Sequence, residues 1–170
     1  MKIRNIILPA SYAFIFFSLQ ILIFRNFALF NYAFCFVYVG FIILLPYEIP
    51  VIASLLMAFI FGAIIDVFYD TIGMHAAASV LITYMRPYIV NLLTPRGGYD
   101  ATIEISARSL GWQWFFSYSA IMILIHHTAL FAIEAWGLDL FFRMIGKIFF
   151  STVFTLSVFL SIQYLVTDKR

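Results

Sequence analysis

Of the 170 residues, 65% are hydrophobic and only 11% are charged, whereas soluble globular domains carry about 25% charged residues. The net charge of +2 is too small to argue for a nucleic-acid partner. A spanning helix uses about 20 apolar residues, so several crossings occupy the whole chain as one transmembrane domain, 1–170, and leave no room for a soluble one.

The chain opens with MKIRNIILPASYAFIFFSLQILIF. The basic start and apolar run look like a secretion signal, but the run is too long and no small-x-small cleavage site follows. It reads as a retained first helix over 5–24, with Pro9 in its first turns, where a missing donor costs little. A short second helix is predicted over 32–45, stopped by Pro46-Tyr47-Glu48-Ile49-Pro50. Its length implies local bilayer thinning or a tilted course inside protein. Cys35, the single cysteine, lies within it and forbids an internal disulfide.

The third predicted helix, 51–69, contains Gly62 and Ala63, small enough for a neighbouring helix to approach closely. After the turn Thr71-Ile72-Gly73, a fourth covers 75–93, with a small face at Ala76-Ala77-Ala78-Ser79 and a break expected at Arg86-Pro87. Residues 94–109 form the one extended polar loop, punctuated by Pro95 and Gly97-Gly98 and carrying Arg96 and Arg108. A fifth helix over 110–133 is entered through Trp112 and Trp114, as in an interfacial aromatic belt. After the acidic turn Glu134–Asp139, a sixth runs over 141–166. The expectation is an all-α, polytopic six-helix bundle.

Lysine and arginine set orientation. Lys2 and Arg4, Arg86, Arg96 and Arg108, and Lys169 and Arg170 thread consistently as cytoplasmic if there are six crossings, with both termini inside. A five-helix reading, with the second segment re-entrant, puts the termini on opposite sides.

The ionisable residues near hydrocarbon are the candidate functional groups, since each costs roughly 2.5–3.5 kcal/mol there on insertion scales. Asp66 and Asp70 are four apart and share a face if both are helical. With His75 they read either as an ion or proton site, or as carboxylates that cap the fourth helix and organise its turn. The capping reading is preferred, because metal sites show more ligands at better spacing. His126 and His127 point about 100° apart on a helix and lack the i, i+4 spacing of a zinc motif; the plainer reading is hydrogen-bonded histidines inside the bundle. Arg86 either binds a headgroup or carboxylate, or snorkels to the interface. No phosphate loop, dinucleotide fingerprint or nucleophile elbow is present, and nothing specifies a catalytic site, cofactor or metal.

The stretch Phe61 to Pro87, FGAIIDVFYDTIGMHAAASVLITYMRP, resembles the rod shape-determining protein MreD family. The resemblance is carried by Gly62, Asp66, Phe68, Gly73, His75, Ala76 to Ser79, Arg86 and Pro87; outside this stretch only hydropathy matches. It implies a non-catalytic scaffold of the bacterial inner membrane, in the machinery of cell elongation and peptidoglycan synthesis. The implied direct partner is MreC, with MreB, RodA and the transpeptidase partner of RodA in the same assembly and lipid around it. The implied fold is similar to the membrane substrate-binding subunits of energy-coupling-factor transporters. That likeness supplies the alternative, a small-ligand (vitamin) binding subunit. The expected docking candidates are Phe16, Phe17, Ala33, Phe34 and Phe36 on the first two segments, and the loop around Arg96 and Arg108.

Overall fold

The computed structural model describes residues 4–30, 32–99, 105–135 and 141–167. The chain is mostly helical. α1 (Arg4–Leu19) continues into a π-helical turn (Gln20–Phe24), followed by a minimal antiparallel pair, β1 (Ala28–Leu29) and β2 (Ala33–Phe34). A 3-10 turn (Val37–Val39) and the single turn α2 (Gly40–Ile43) come next. The remaining elements are α3 (Val51–Tyr69), α4 (Met74–Leu92), the short α5 (Ala107–Leu110), α6 (Trp112–Glu134) and α7 (Phe141–Thr167). Lys2, Lys169, Arg170 and the turn residues Trp136 to Asp139 lie outside the described residues, as does the Arg4 side chain.

Among the described residues, four stretches are long and apolar enough to cross a membrane: Ile7–Phe24, Val51–Tyr69, Trp112–Glu134 and Phe142–Val166. α4 falls short of that standard because it carries His75, Thr83, Arg86 and Asn91. It packs between α3 and α6, and Arg86 finds one of its partners on α6, at Tyr118. α7 lies beyond α6, and α1 packs on the 3-10 turn and α2.

The helix predicted over 32–45 is not formed. Apart from its two short turns, this segment is extended or irregular, and every residue from Cys35 to Leu45 is buried. It is a thread inside the bundle. Its beginning lies at Gln20 and Tyr69, where the π turn starts and α3 ends. Its end lies at Arg86 in the last turns of α4 and Tyr118 in the first turns of α6. The thread therefore runs alongside most of α4, from the His75 end to Arg86. Irregular backbone at membrane depth is tolerated only inside protein, where each unsatisfied group otherwise costs several kcal/mol.

The surrounding helices meet that requirement with side chains. Gln20 on the π turn donates from Nε2 to the Cys35 carbonyl at 3.0 Å and accepts the Tyr38 N–H at Oε1, 3.2 Å. On α7, Ser151 Oγ accepts the Phe34 N–H at 2.9 Å and Thr155 Oγ1 accepts the Phe36 N–H at 3.0 Å. Arg86 donates to the Leu45 carbonyl, and the Tyr118 hydroxyl reaches the Ile43 carbonyl at 3.4 Å.

A second difference concerns Pro87. The helix does not break there but runs through it to Leu92. The proline lacks the N–H that would bond the carbonyl of Thr83. Arg86, next to the proline, ties α4 to Tyr118 on α6 and to the Leu45 carbonyl beside this gap.

Candidate functional site

The α3–α4 joint contains most of the conspicuous stretch. Gly62 stands where the two helices touch: a Cβ there would meet the Ala76 Cα at 2.6 Å and the His75 carbonyl at 2.8 Å. Asp66, buried one turn later, accepts from the Thr71 hydroxyl at 2.5 Å and the His75 N–H at 3.0 Å with Oδ1, and from the Ala76 N–H at 2.9 Å with Oδ2. It thereby satisfies two of the orphan donors of the first turn of α4 from outside that helix. The charge is also well placed for the α4 dipole. Gly73 precedes α4 with φ of +77°, a conformation that glycine adopts without a steric penalty.

The two aspartates do not share a face. Asp70 ends α3 in the left-handed region (φ 53°, ψ 37°) and is exposed, while Asp66 points inward. The i, i+4 argument fails because Asp70 has already left the helix.

Behind the joint lies a buried polar cluster. The Tyr38 hydroxyl on the thread bridges His75 Nδ1 at 3.0 Å and His126 Nε2 at 2.6 Å. His127, beside His126 in sequence, faces another partner. Its Nδ1–H donates to the Ile123 carbonyl at 2.8 Å, which leaves Nε2 to accept from the Thr155 hydroxyl at 3.1 Å. His126 Nδ1 has no partner among the described residues. A buried N–H without an acceptor is rarer than a buried lone pair without a donor. With the fully buried His126 Nδ1 left as a lone pair, His126 Nε2–H donates to Tyr38 and Tyr38 donates to His75 Nδ1; the N–H left over is that of His75 Nε2, which borders an open cavity and is not enclosed by protein. His75 then carries its proton on Nε2. Among the described residues, no group of three or more His, Cys, Asp or Glu side chains is arranged to hold a metal ion.

Arg86 neither snorkels nor meets a carboxylate. It is 5% exposed, donates from Nε to the Tyr118 hydroxyl at 3.0 Å and bonds the Leu45 carbonyl. Its role is to hold the end of the thread.

The expected docking residues divide. Phe16, Ala33 and Phe36 are 2%, 7% and 6% exposed and belong to the interior of the chain, not to an outer face. Phe17 packs edge-on against Phe68, and Phe34 is half-buried against Phe36 and Phe131. Arg96 and Arg108 are exposed in the polar loop and in α5.

A cavity of about 250 Å³ opens beside the joint, lined by Arg25, Phe34, Phe36, Tyr69, Thr71, Met74, His75, Leu130, Phe131 and Glu134. A second, of about 180 Å³, shares Phe131 and Glu134 and reaches Arg143 and Lys147. Lys147 pairs with Glu134 at 3.1 Å and lies over the Phe34 and Phe131 rings.

Sequence reasoning overlooked Gln20, Tyr38, Tyr118, Ser151 and Thr155. Gln20, Ser151 and Thr155 did carry a signal, being polar residues inside apolar runs, each of which requires a partner. Tyr38 and Tyr118 stand among many aromatics and carried none. Comparison with protein-family models, curated proteins and solved structures finds no match.

Proposed function

We propose that the chain is a non-catalytic scaffold of the bacterial inner membrane, resembling the MreD family, which supports cell elongation by docking MreC. The supporting observation is that Asp66, the ionisable centre of the motif, accepts hydrogen bonds from three donors and so acts as a structural joint. In this reading the chain crosses six times, with the buried thread as the second crossing and both termini cytoplasmic. Docking falls to outward side chains such as Phe14 and Leu22 on the first helical run, or Ile52, Leu56 and Phe59 on α3, all exposed. Helices associate in lipid by packing and interhelical hydrogen bonds, so reshaping the right face weakens the complex.

The test is recovery of MreC from native membranes without crosslinking, across single alanine substitutions of those five residues, with expression and insertion checked for each. Loss of MreC at one or more positions, in protein that still inserts, is the expected result. Failure of the wild-type chain to recover MreC rejects the reading. Reporter fusions at the two ends test the crossing count, and opposite compartments for the two ends reject it.

The 250 Å³ cavity favours a second reading, a membrane subunit that binds a small ligand, similar to those of energy-coupling-factor transporters. An aromatic-walled cavity with a few convergent polar groups is the usual form of a small-molecule site.

A further inference from the structure

We propose that the cavity beside the α3–α4 joint takes a small ring-bearing monoanion, with a hydrogen-bond acceptor at its inner end, an apolar ring in the middle and a carboxylate at its outer end. This deepens the small-ligand reading and rests on it.

Three observations specify the ligand. The inner wall holds His75, 2% exposed, whose Nδ1 is taken by Tyr38 and whose Nε2 makes no hydrogen bond among the described residues. The bonding around Tyr38 places a proton on that Nε2, so the wall offers a donor and asks for an acceptor. Phe34, Phe36, Tyr69 and Phe131 make the middle aromatic, which suits a ring packed offset or edge-on. Among the described residues, two charged side chains line the cavity, Arg25 and Glu134. Glu134 is already paired with Lys147, whereas Arg25 is exposed and forms no ion pair among the described residues. Arg25 thus offers an anion a charge-assisted, forked hydrogen bond. The volume, about 250 Å³, suits a molecule at the small end of the usual ligand range.

The probes are 4-(4-pyridyl)butanoate, its neutral amide, and 4-phenylbutanoate, which lacks the inner acceptor. Binding is measured on the full chain in nanodiscs, at a pH where the pyridine is neutral. The pyridyl acid should bind at one site, with the amide and the phenyl acid each weaker by about tenfold, as for loss of one strong hydrogen bond. In Arg25→Gln, acid and amide should bind alike. Met74→Trp, which fills the cavity, should abolish binding; Phe34→Trp serves if that variant does not fold. If acid and amide bind wild type equally, and Met74→Trp removes both, the proposed ligand class is wrong and the cavity still binds small molecules. The same holds if a co-purifying lipid, lost in Met74→Trp, excludes the probes. If no probe or lipid shows binding sensitive to the filling variants, the small-ligand reading itself fails.

Discussion

Gly62 and Ala76 meet across the α3–α4 crossing with no room for a side chain between them: the Cβ that Gly62 lacks would stand 2.6 Å from the Ala76 Cα. The atoms in the way are backbone, so no side-chain rotation relieves the overlap. Gly62→Ala must push α4 outward, at a cost of about 1–3 kcal/mol for overpacking. The same movement stretches the bonds from Asp66 to the His75 and Ala76 N–H groups. Thermal unfolding in detergent should show a clear loss of stability, and a melting profile equal to wild type would contradict this geometry.

The two aspartates should respond differently. Asp66→Asn keeps one acceptor oxygen and is the milder change. Asp66→Leu leaves two buried N–H groups and the Thr71 hydroxyl without their acceptor, at about 1–3 kcal/mol for each unsatisfied group. Asp70→Gly, at an exposed left-handed position, should stay within about 0.5 kcal/mol of wild type or gain slightly. The ranking Leu worse than Asn, with Asp70→Gly near wild type, is read from unfolding in one detergent. Asp70→Gly as damaging as Asp66→Leu would restore the paired-carboxylate view.

Arg86 should tolerate neither loss of charge nor loss of shape. Arg86→Leu leaves the Leu45 carbonyl and the Tyr118 hydroxyl without their donor. Arg86→Lys keeps the charge but cannot serve two acceptors with a planar fork. Both should lose stability, the leucine variant more, and limited proteolysis should cut first near Pro46 to Pro50, where the end of the thread is freed. Unchanged protease resistance in Arg86→Leu would show that the thread is held by other means.

Thr155 is the meeting point of α7, the thread and α6, accepting from the Phe36 N–H and donating to His127 Nε2. Thr155→Val has nearly the same shape and no hydroxyl, and should cost about 1–3 kcal/mol. Thr155→Ser should retain most of the stability. In a double-mutant cycle with His127→Phe the losses should be less than additive, because the two residues share a bond. Strict additivity would dissolve that link.

The helices were legible where hydropathy and punctuation agreed. The expected 51–69 is α3 itself, 75–93 is α4 shifted by one residue at both ends, and 141–166 stops one residue short of the end of α7. The thread was not legible, because apolar composition reports burial and does not distinguish a helix facing lipid from irregular chain facing protein. What decides between them is the source of the backbone partners, and here they come from Gln20, Arg86, Ser151 and Thr155, up to 121 positions away in sequence. The capping role of Asp66 was legible, because a carboxylate in the last turns of one helix, a short turn ahead of the next, has an obvious use at that helix start. The inward turn of Phe16, Ala33 and Phe36 was hidden for the same reason as the thread.

The dependence of the thread on α7 also bears on biosynthesis. Phe34 and Phe36 find their hydrogen-bond acceptors at Ser151 and Thr155, on α7, which is made after the thread and after α3, α4 and α6. Until that helix arrives, those N–H groups have no acceptor from it, and lipid offers none. The second segment therefore has to wait at the interface, or in the insertion machinery, while the later helices are laid down. A chain cut short before Ser151 should remain a substrate for membrane quality control even though its first helix and α3 have each inserted normally.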